Sequence, residues 1–127
     1  MAKILIVEDD DSVRTLAARA LQRNGYEVEV AVDGGSGLDC IRAAEGSYDL
    51  VVSDVRMPGM DGIEMARAAA ASYPALKLML MTGYADQRER CESLRGVVRD
   101  VLQKPFSLAD LRERVEHLLA EAVEPAA

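Results

Sequence analysis

The chain has no tryptophan, one phenylalanine, one histidine, two cysteines and four prolines among its 127 residues. Each scarcity removes a class of protein. Cys40 and Cys91 cannot make a disulfide framework and agree with a reducing compartment. With His117 the sole histidine, a zinc site of about four Cys and His ligands is out of reach. Aromatic residues are 4% of the chain, too few to sandwich a flavin with ease. The apolar run Ile4–Val7 is far shorter than a signal peptide core or the roughly 20 residues of a membrane helix. Bases are in deficit, 15 against 22 acids, and the formal net charge of −7 argues against nucleic acid or an anionic membrane as partner. No stretch rich in proline, glycine and serine marks a linker, and no repeat period shows. The expectation is one cytoplasmic domain over residues 1–121 with a frayed tail over 122–127.

What is present is alternation. Lys3-Ile4-Leu5-Ile6-Val7 reads as a short strand that is apolar on both faces. Asp11 or Ser12 can cap the helix that follows, whose Val13, Leu16, Ala17, Ala20 and Leu21 share one face. Asn24-Gly25 stops it. Glu27-Val28-Glu29-Val30-Ala31 alternates charge and apolar side chains, as an edge strand with one wetter face would. A second helix over about Gly35 to Glu45 is weakened by its glycines. Leu50 to Val52 is a buried strand, Pro58-Gly59 a turn, Gly62 to Ser72 an alanine-rich helix, and Leu76 to Met81 another apolar strand. A charged helix is expected over Ala85 to Arg95 and a short strand within Val97 to Leu102. Ser107 to Asp110 is close to a capping box, followed by a stripe of Leu108, Leu111, Val115, Leu118 and Leu119. Five strands alternating with five helices predict an α/β, doubly wound (βα)5 domain with a five-stranded parallel sheet. An eight-unit barrel is excluded by length.

Sheets of this kind bind ligands beyond the carboxyl ends of their strands. There the chain carries Glu8 and Asp9 after the first strand, Asp54 after the third, Thr82-Gly83 after the fourth and Lys104-Pro105 after the fifth. Glu8, Asp9 and Asp54 would crowd three carboxylates together, which a hard cation such as Mg²⁺ relieves. A phosphoryl oxygen held by that cation would lie beside Asp54, a carboxylate able to act as nucleophile. Lys104 adds a positive charge, Thr82 a hydroxyl, and the amides of Val55, Arg56 and Gly83 further donors. Asp10 and Asp11 read instead as helix caps, Cys40 and Cys91 as packing or half-exposed thiols, and His117 as a surface residue. The mixed charges between Arg88 and Lys104 read as a solvated face, with a docking surface as the alternative.

At these residues the chain resembles the bacterial response-regulator receiver domains, the family of the chemotaxis regulator CheY. The segments that carry the resemblance are Ile4-Leu-Ile-Val-Glu8-Asp9-Asp10, Asp49-Leu-Val-Val-Ser-Asp54-Val-Arg-Met-Pro58-Gly-Met-Asp-Gly62, Met81-Thr82-Gly-Tyr-Ala and Lys104-Pro105-Phe106. The resemblance implies a flavodoxin-like sheet in the order 2-1-3-4-5. It implies phosphorylation of Asp54, with Mg²⁺ held by Glu8, Asp9, Asp54 and the backbone carbonyl of Arg56. Thr82 and Lys104 match the switch hydroxyl and the phosphate-binding lysine, and the Lys104–Pro105 bond is expected to be cis. Three residues before the lysine, Val101 stands where many members carry a switching aromatic, so an aromatic rotamer cannot be the signal; Tyr84 is a weaker substitute.

The segments around Ile63 and Thr82 lean towards the stand-alone cell-cycle receivers of the CpdR type, which prime substrate delivery to a AAA+ protease. Receivers of hybrid histidine kinases are the alternative. Met1 and the absence of an effector domain agree with a stand-alone protein. The implied partners are a histidine kinase or histidine phosphotransferase upstream and a protein downstream, with a monomer expected. The output surface is expected on the fourth helix, fifth strand and fifth helix. The chain is thus expected to be a phosphoacceptor that catalyses its own phosphorylation and dephosphorylation, not an enzyme acting on other molecules. A phosphohydrolase with an aspartyl nucleophile would want an acid two residues after Asp54, where Arg56 stands. A flavodoxin would want a Ser/Thr/Gly-rich loop where Glu8-Asp9-Asp10-Asp11 stands.

Overall fold

The computed structural model describes residues 1–83, 94 and 96–121. Strands β1 (Lys3–Val7), β2 (Glu27–Ala31), β3 (Leu50–Asp54), β4 (Leu78–Thr82) and β5 (Asp100–Gln103) form one parallel sheet in the order β2-β1-β3-β4-β5. Helices α1 (Asp11–Arg23), α2 (Gly34–Ala43), α3 (Gly62–Ser72) and α4 (Leu108–Ala120) cover its faces. Leu94 aside, the helix expected over Ala85 to Arg95 lies outside the described residues, as do Tyr84, Cys91 and the tail 122–127. No described helix is long and apolar enough to cross a membrane.

The period of two along each strand divides the core. Ile4, Ile6, Val52, Met79 and Met81 meet Ala17 and Leu21 of α1 and Leu111, Val115 and Leu118 of α4. Leu5, Val7, Val51 and Leu78 meet Leu38 and Ile41 of α2 and Met65, Ala66 and Ala69 of α3. A smaller cluster of Val55, Ile63, Leu80 and Leu94 closes the side towards β5, and the half-buried Val101 packs against it. Full burial of each such aliphatic side chain is worth about 1.5–3 kcal/mol, which is how two thin layers hold a sheet with polar strand ends.

Several boundaries differ from the sequence expectation. Of the residues read as caps of α1, it is Asp10 and neither Asp11 nor Ser12 that serves: its carboxylate accepts from the Val13 amide at 2.9 Å, and the Arg14 amide closes the first turn on the Asp10 carbonyl. Helix α2 starts earlier, at Gly34, because Asp33 caps it through the Ser36 amide at 2.7 Å. Its glycines serve close packing. A Cβ on Gly34 would stand 2.2 Å from the Met60 carbonyl, and one on Gly37 2.8 Å from a Val7 methyl. Leu76 lies outside β4, which runs on to Thr82. The apolar stripes are also narrower than expected: Leu16 is 54% exposed and Leu108 39%. As anticipated, β2 is an edge strand, although Val30 on its apolar face is exposed as well. The Ser107 hydroxyl caps α4 through the Asp110 amide at 3.0 Å.

Candidate functional site

Strand order alone assembles the site. Between β1 and β3 the connections leave in opposite directions, and a crevice opens at that switch point. Val7 pairs with Ser53, so Glu8, the residue after β1, and Asp54, the last of β3, stand side by side. Asp54 is the last residue of β3 and Thr82 the last of β4, one position earlier in their loops than expected. The pairing of Thr82 with Gln103 then brings Lys104 round, and its amide donates to the Thr82 carbonyl at 2.7 Å. The Lys104–Pro105 bond is cis, as expected.

One oxygen from each of Glu8, Asp9 and Asp54 lies within 4.8 Å of the others. Glu8 and Asp54 are buried at 1% and 7% exposure, whereas Asp9 is exposed. The Lys104 ammonium sits 3.1 Å from Glu8 Oε2 and 3.2 Å from Asp54 Oδ1. The other Glu8 oxygen accepts from the Asp10 amide at 3.2 Å. Burial raises the Glu8 carboxyl above its ordinary range, with the Asp54 charge adding to it and Lys104 opposing. Burial likewise raises Asp54, against the pull of Lys104. For Lys104, burial works to lower the ammonium, but the Asp54 and Glu8 carboxylates outweigh it and the net direction is up. Three acids against one lysine leave an excess of negative charge in an all-oxygen donor set. Such a set suits a hard cation like Mg²⁺ and not a soft one. The acids can therefore hold a metal ion.

The other expected residues fall as follows. Arg56, Thr82 and Gly83 line the same open pocket of about 680 Å³ as the acids and Lys104. Thr82 is buried at 5% exposure. The Val55 amide, expected as a free donor, already donates to the Met81 carbonyl at 3.0 Å and also favours the ionised form of Asp54. His117 is a surface residue, 3.3 Å from Glu121, and Cys40 is a half-buried free thiol packed against the core.

Two residues were not anticipated. Gly62 opens α3 so close to the acid that a Cβ there would stand 2.1 Å from the Asp54 carbonyl oxygen. Arg14 reaches back from α1 to the Glu8 carbonyl at 2.9 Å. Gly62 was visible as the end of a motif. Arg14 looks like any outward arginine of an amphipathic helix, and nothing in its spacing marks it.

A doubly wound α/β domain with a buried carboxylate pair, a third acid and a shared lysine at its switch point defines a receiver-type site. The response regulator receiver domain model matches residues 4–116, and the chain belongs to that family. It is 38% identical over 122 residues to the response regulator receiver protein CpdR of Brucella abortus (strain 2308), covering 96% of this chain and all of that protein. It is also 38% identical over 118 residues to the sensor kinase CckA of the same organism, covering 93% of this chain but 12% of the kinase. Among solved structures, the response regulator TrrA of Thermotoga maritima in complex with Mg²⁺ and BeF superposes with a TM-score of 0.83 at 33% identity, covering 93% of this chain and 99% of that one. The sheet order and fold class expected from the sequence are those observed.

Proposed function

We propose that the protein is a cytoplasmic phosphoacceptor switch of a two-component phosphorelay. A carboxylate oxygen of Asp54 attacks the phosphorus of a phosphohistidine on a histidine kinase or histidine phosphotransferase. The P–N bond breaks, the electron pair returns to the imidazole, which takes a proton from solvent, and an acyl phosphate forms. Glu8, Asp9 and Asp54, with the Arg56 carbonyl expected to join them, would hold Mg²⁺, which when bound neutralises the carboxylates and draws phosphoryl oxygens to Asp54. Lys104 moves its charge between Glu8 and the incoming group, and Thr82 offers its hydroxyl from the end of β4. The chain then acts on itself and not as an enzyme on other molecules. The single observation that carries this reading is the buried Asp54 carboxylate within 4.8 Å of two further acids and 3.2 Å from Lys104.

Exposed Leu16 and Leu108 flank the pocket together with Phe106, and they offer a protein donor an apolar seat beside Asp54. The first reading of its pathway is a stand-alone receiver with a AAA+ protease as downstream partner in cell-cycle control; the likeness to the receiver protein CpdR over its full length supports the receiver part of that reading. The likeness to CckA supports the second reading, a receiver of a hybrid histidine kinase. Val101 in the apolar cluster beside β5 supports switching without an aromatic rotamer. The test is labelling by a small phosphodonor, read by mass spectrometry. One phosphoryl group on Asp54 in Mg²⁺ is expected; labelling that survives Asp54→Asn or excess EDTA overturns the proposal. Capture of partners with and without beryllofluoride separates the two readings of its pathway.

A further inference from the structure

We propose that Arg14 is a positioning residue of the acidic site, holding the peptide unit between Glu8 and Asp9 so that the Asp9 carboxylate faces the cation position; this rests on the metal-dependent reading above. Arg14 lies in the first turns of α1, and its side chain is only 15% exposed. Its Nη1 donates to the Glu8 carbonyl at 2.9 Å, and its Nη2 donates to the Asp11 carboxylate. The Glu8 carbonyl belongs to the peptide that joins Glu8 to Asp9. Fixing that oxygen fixes the peptide plane, and with it the direction in which Asp9 leaves the backbone.

The rest of the loop shows why this matters. The Glu8 amide is tied to the Ala31 carbonyl at 3.1 Å, and its carboxylate is held by the Asp10 amide and Lys104. Glu8 is therefore anchored through its own side chain. Asp9 is exposed and has no packing to aim it, so its aim comes from the backbone on either side. On the far side the Asp10 cap ties the chain to the start of α1. On the near side Arg14 donates to the carbonyl from α1. Asp11 balances the guanidinium charge, which makes the contribution one of geometry more than of attraction to the acids. Partners that orient a metal ligand without touching the metal cost roughly 10–100-fold in affinity when removed.

The test uses the full chain with Arg14→Met, which keeps the stem and loses both donors, and Arg14→Lys, which keeps one donor and secures the comparison if the first variant folds poorly. Mg²⁺ is titrated against the amide resonances of residues 8–10 and 54, and metal-free amide exchange is measured at Asp10. Arg14→Met is expected to weaken Mg²⁺ binding roughly tenfold and to speed Asp10 exchange, with Arg14→Lys in between and the central-strand amide of Val52 unchanged in both. Affinity within about twofold of wild type in both variants overturns the inference. Weaker binding with unchanged Asp10 exchange also overturns it, because the effect is then one of charge alone. A wild-type protein that shows no saturable Mg²⁺ response overturns the metal site itself, an outcome distinct from a variant that binds as wild type does.

Discussion

Replacing Asp54 by asparagine is expected to stabilise the metal-free protein while removing most of its response to Mg²⁺. Two carboxylate oxygens at 4.8 Å, the widest separation among the three acids, would repel by about 3.5 kcal/mol at an effective dielectric constant of about 20. Asp54 has two such neighbours, Glu8 and Asp9. Against them stands one attraction of about 5 kcal/mol from Lys104 at 3.2 Å. The balance is about 2 kcal/mol against the charged form, and lost hydration of a side chain 7% exposed adds to it. Asparagine keeps the shape, removes the repulsion and leaves Lys104 its Glu8 partner at 3.1 Å. A gain of about 1–2 kcal/mol follows, or roughly 3–10 °C in melting temperature for a chain of this size. Wild type recovers by binding a cation: at ten times its dissociation constant, Mg²⁺ adds about 1.4 kcal/mol to the native state. The variant has lost a ligand and gains less. Thermal unfolding followed by circular dichroism at neutral pH, in EDTA and then in millimolar Mg²⁺, reads both effects. A variant less stable than wild type in EDTA, or an equal Mg²⁺ increment in both proteins, refutes the charge argument.

The same variant carries a pH signature. Burial raises the Asp54 carboxyl above its ordinary 3.8, so the native state holds that proton more tightly than the unfolded chain and the contribution to stability falls as pH climbs from that value through the raised one. The advantage of Asp54→Asn in EDTA should therefore vanish in acid and grow towards neutrality, measured as urea midpoints; a gap that widens in acid contradicts it. Gly62→Ala must displace the start of α3 from the Asp54 carbonyl, 2.1 Å from the new Cβ, at about 1–3 kcal/mol and with slower labelling of Asp54. Gly35→Ala, whose nearest neighbour is 3.6 Å away, should instead gain about 0.5–1 kcal/mol, and chemical denaturation of the pair tests the contrast. Ser107→Ala removes the cap of α4 and should cost about 1 kcal/mol; no change in the unfolding midpoint would show that the hydroxyl contributes nothing.

The parts of this molecule that follow from one-dimensional pattern were legible in advance. Runs such as Ile4–Val7 and Leu78–Met81 are apolar on both faces because helices cover both faces, and that alone points to a parallel sheet. The acids and the lysine could be placed at one edge because parallel strands all end there. Pattern fails where a residue's role is set by a neighbour distant in sequence. Gly35 and Gly37 read as helix weakeners, yet Gly37 is what lets α2 approach Val7, as Gly34 just before it lets the helix start approach Met60. Leu16 and Leu108 have core-like spacing but lie at the pocket mouth, where no described element covers them. Arg14 has the spacing of a solvated arginine, and only the turn at Glu8 brings a carbonyl under it. Asp10 and Asp11 both read as caps from sequence, and only the backbone direction at the start of α1 chooses Asp10 between them.

The distribution of charge within the site explains how a stable fold can carry it. The two acids at the carboxyl ends of central strands, Glu8 just after β1 and Asp54 at the end of β3, are buried, and each has Lys104 within 3.2 Å. A buried carboxylate without a partner would cost several kcal/mol, and one lysine between the two offsets much of that for both. The third acid, Asp9, is placed where hydration is still available and needs no partner. The uncompensated charge is therefore displayed outward, at the mouth of the pocket, and not locked beneath the lysine. A cation arriving from solvent meets the exposed carboxylate first and the buried pair behind it. Had Lys104 reached Asp9 and Asp54 instead, Glu8 would be buried alone and the outward face neutral: a less stable fold with a weaker site. Lys104 owes its position to β5, an edge strand of four residues held by Leu102 in the core and by Arg114 on Asp100 at 2.7 Å. The charge that reconciles stability with site chemistry thus hangs from the shortest strand of the sheet, which ties the competence of the site to the packing of α4 against β5.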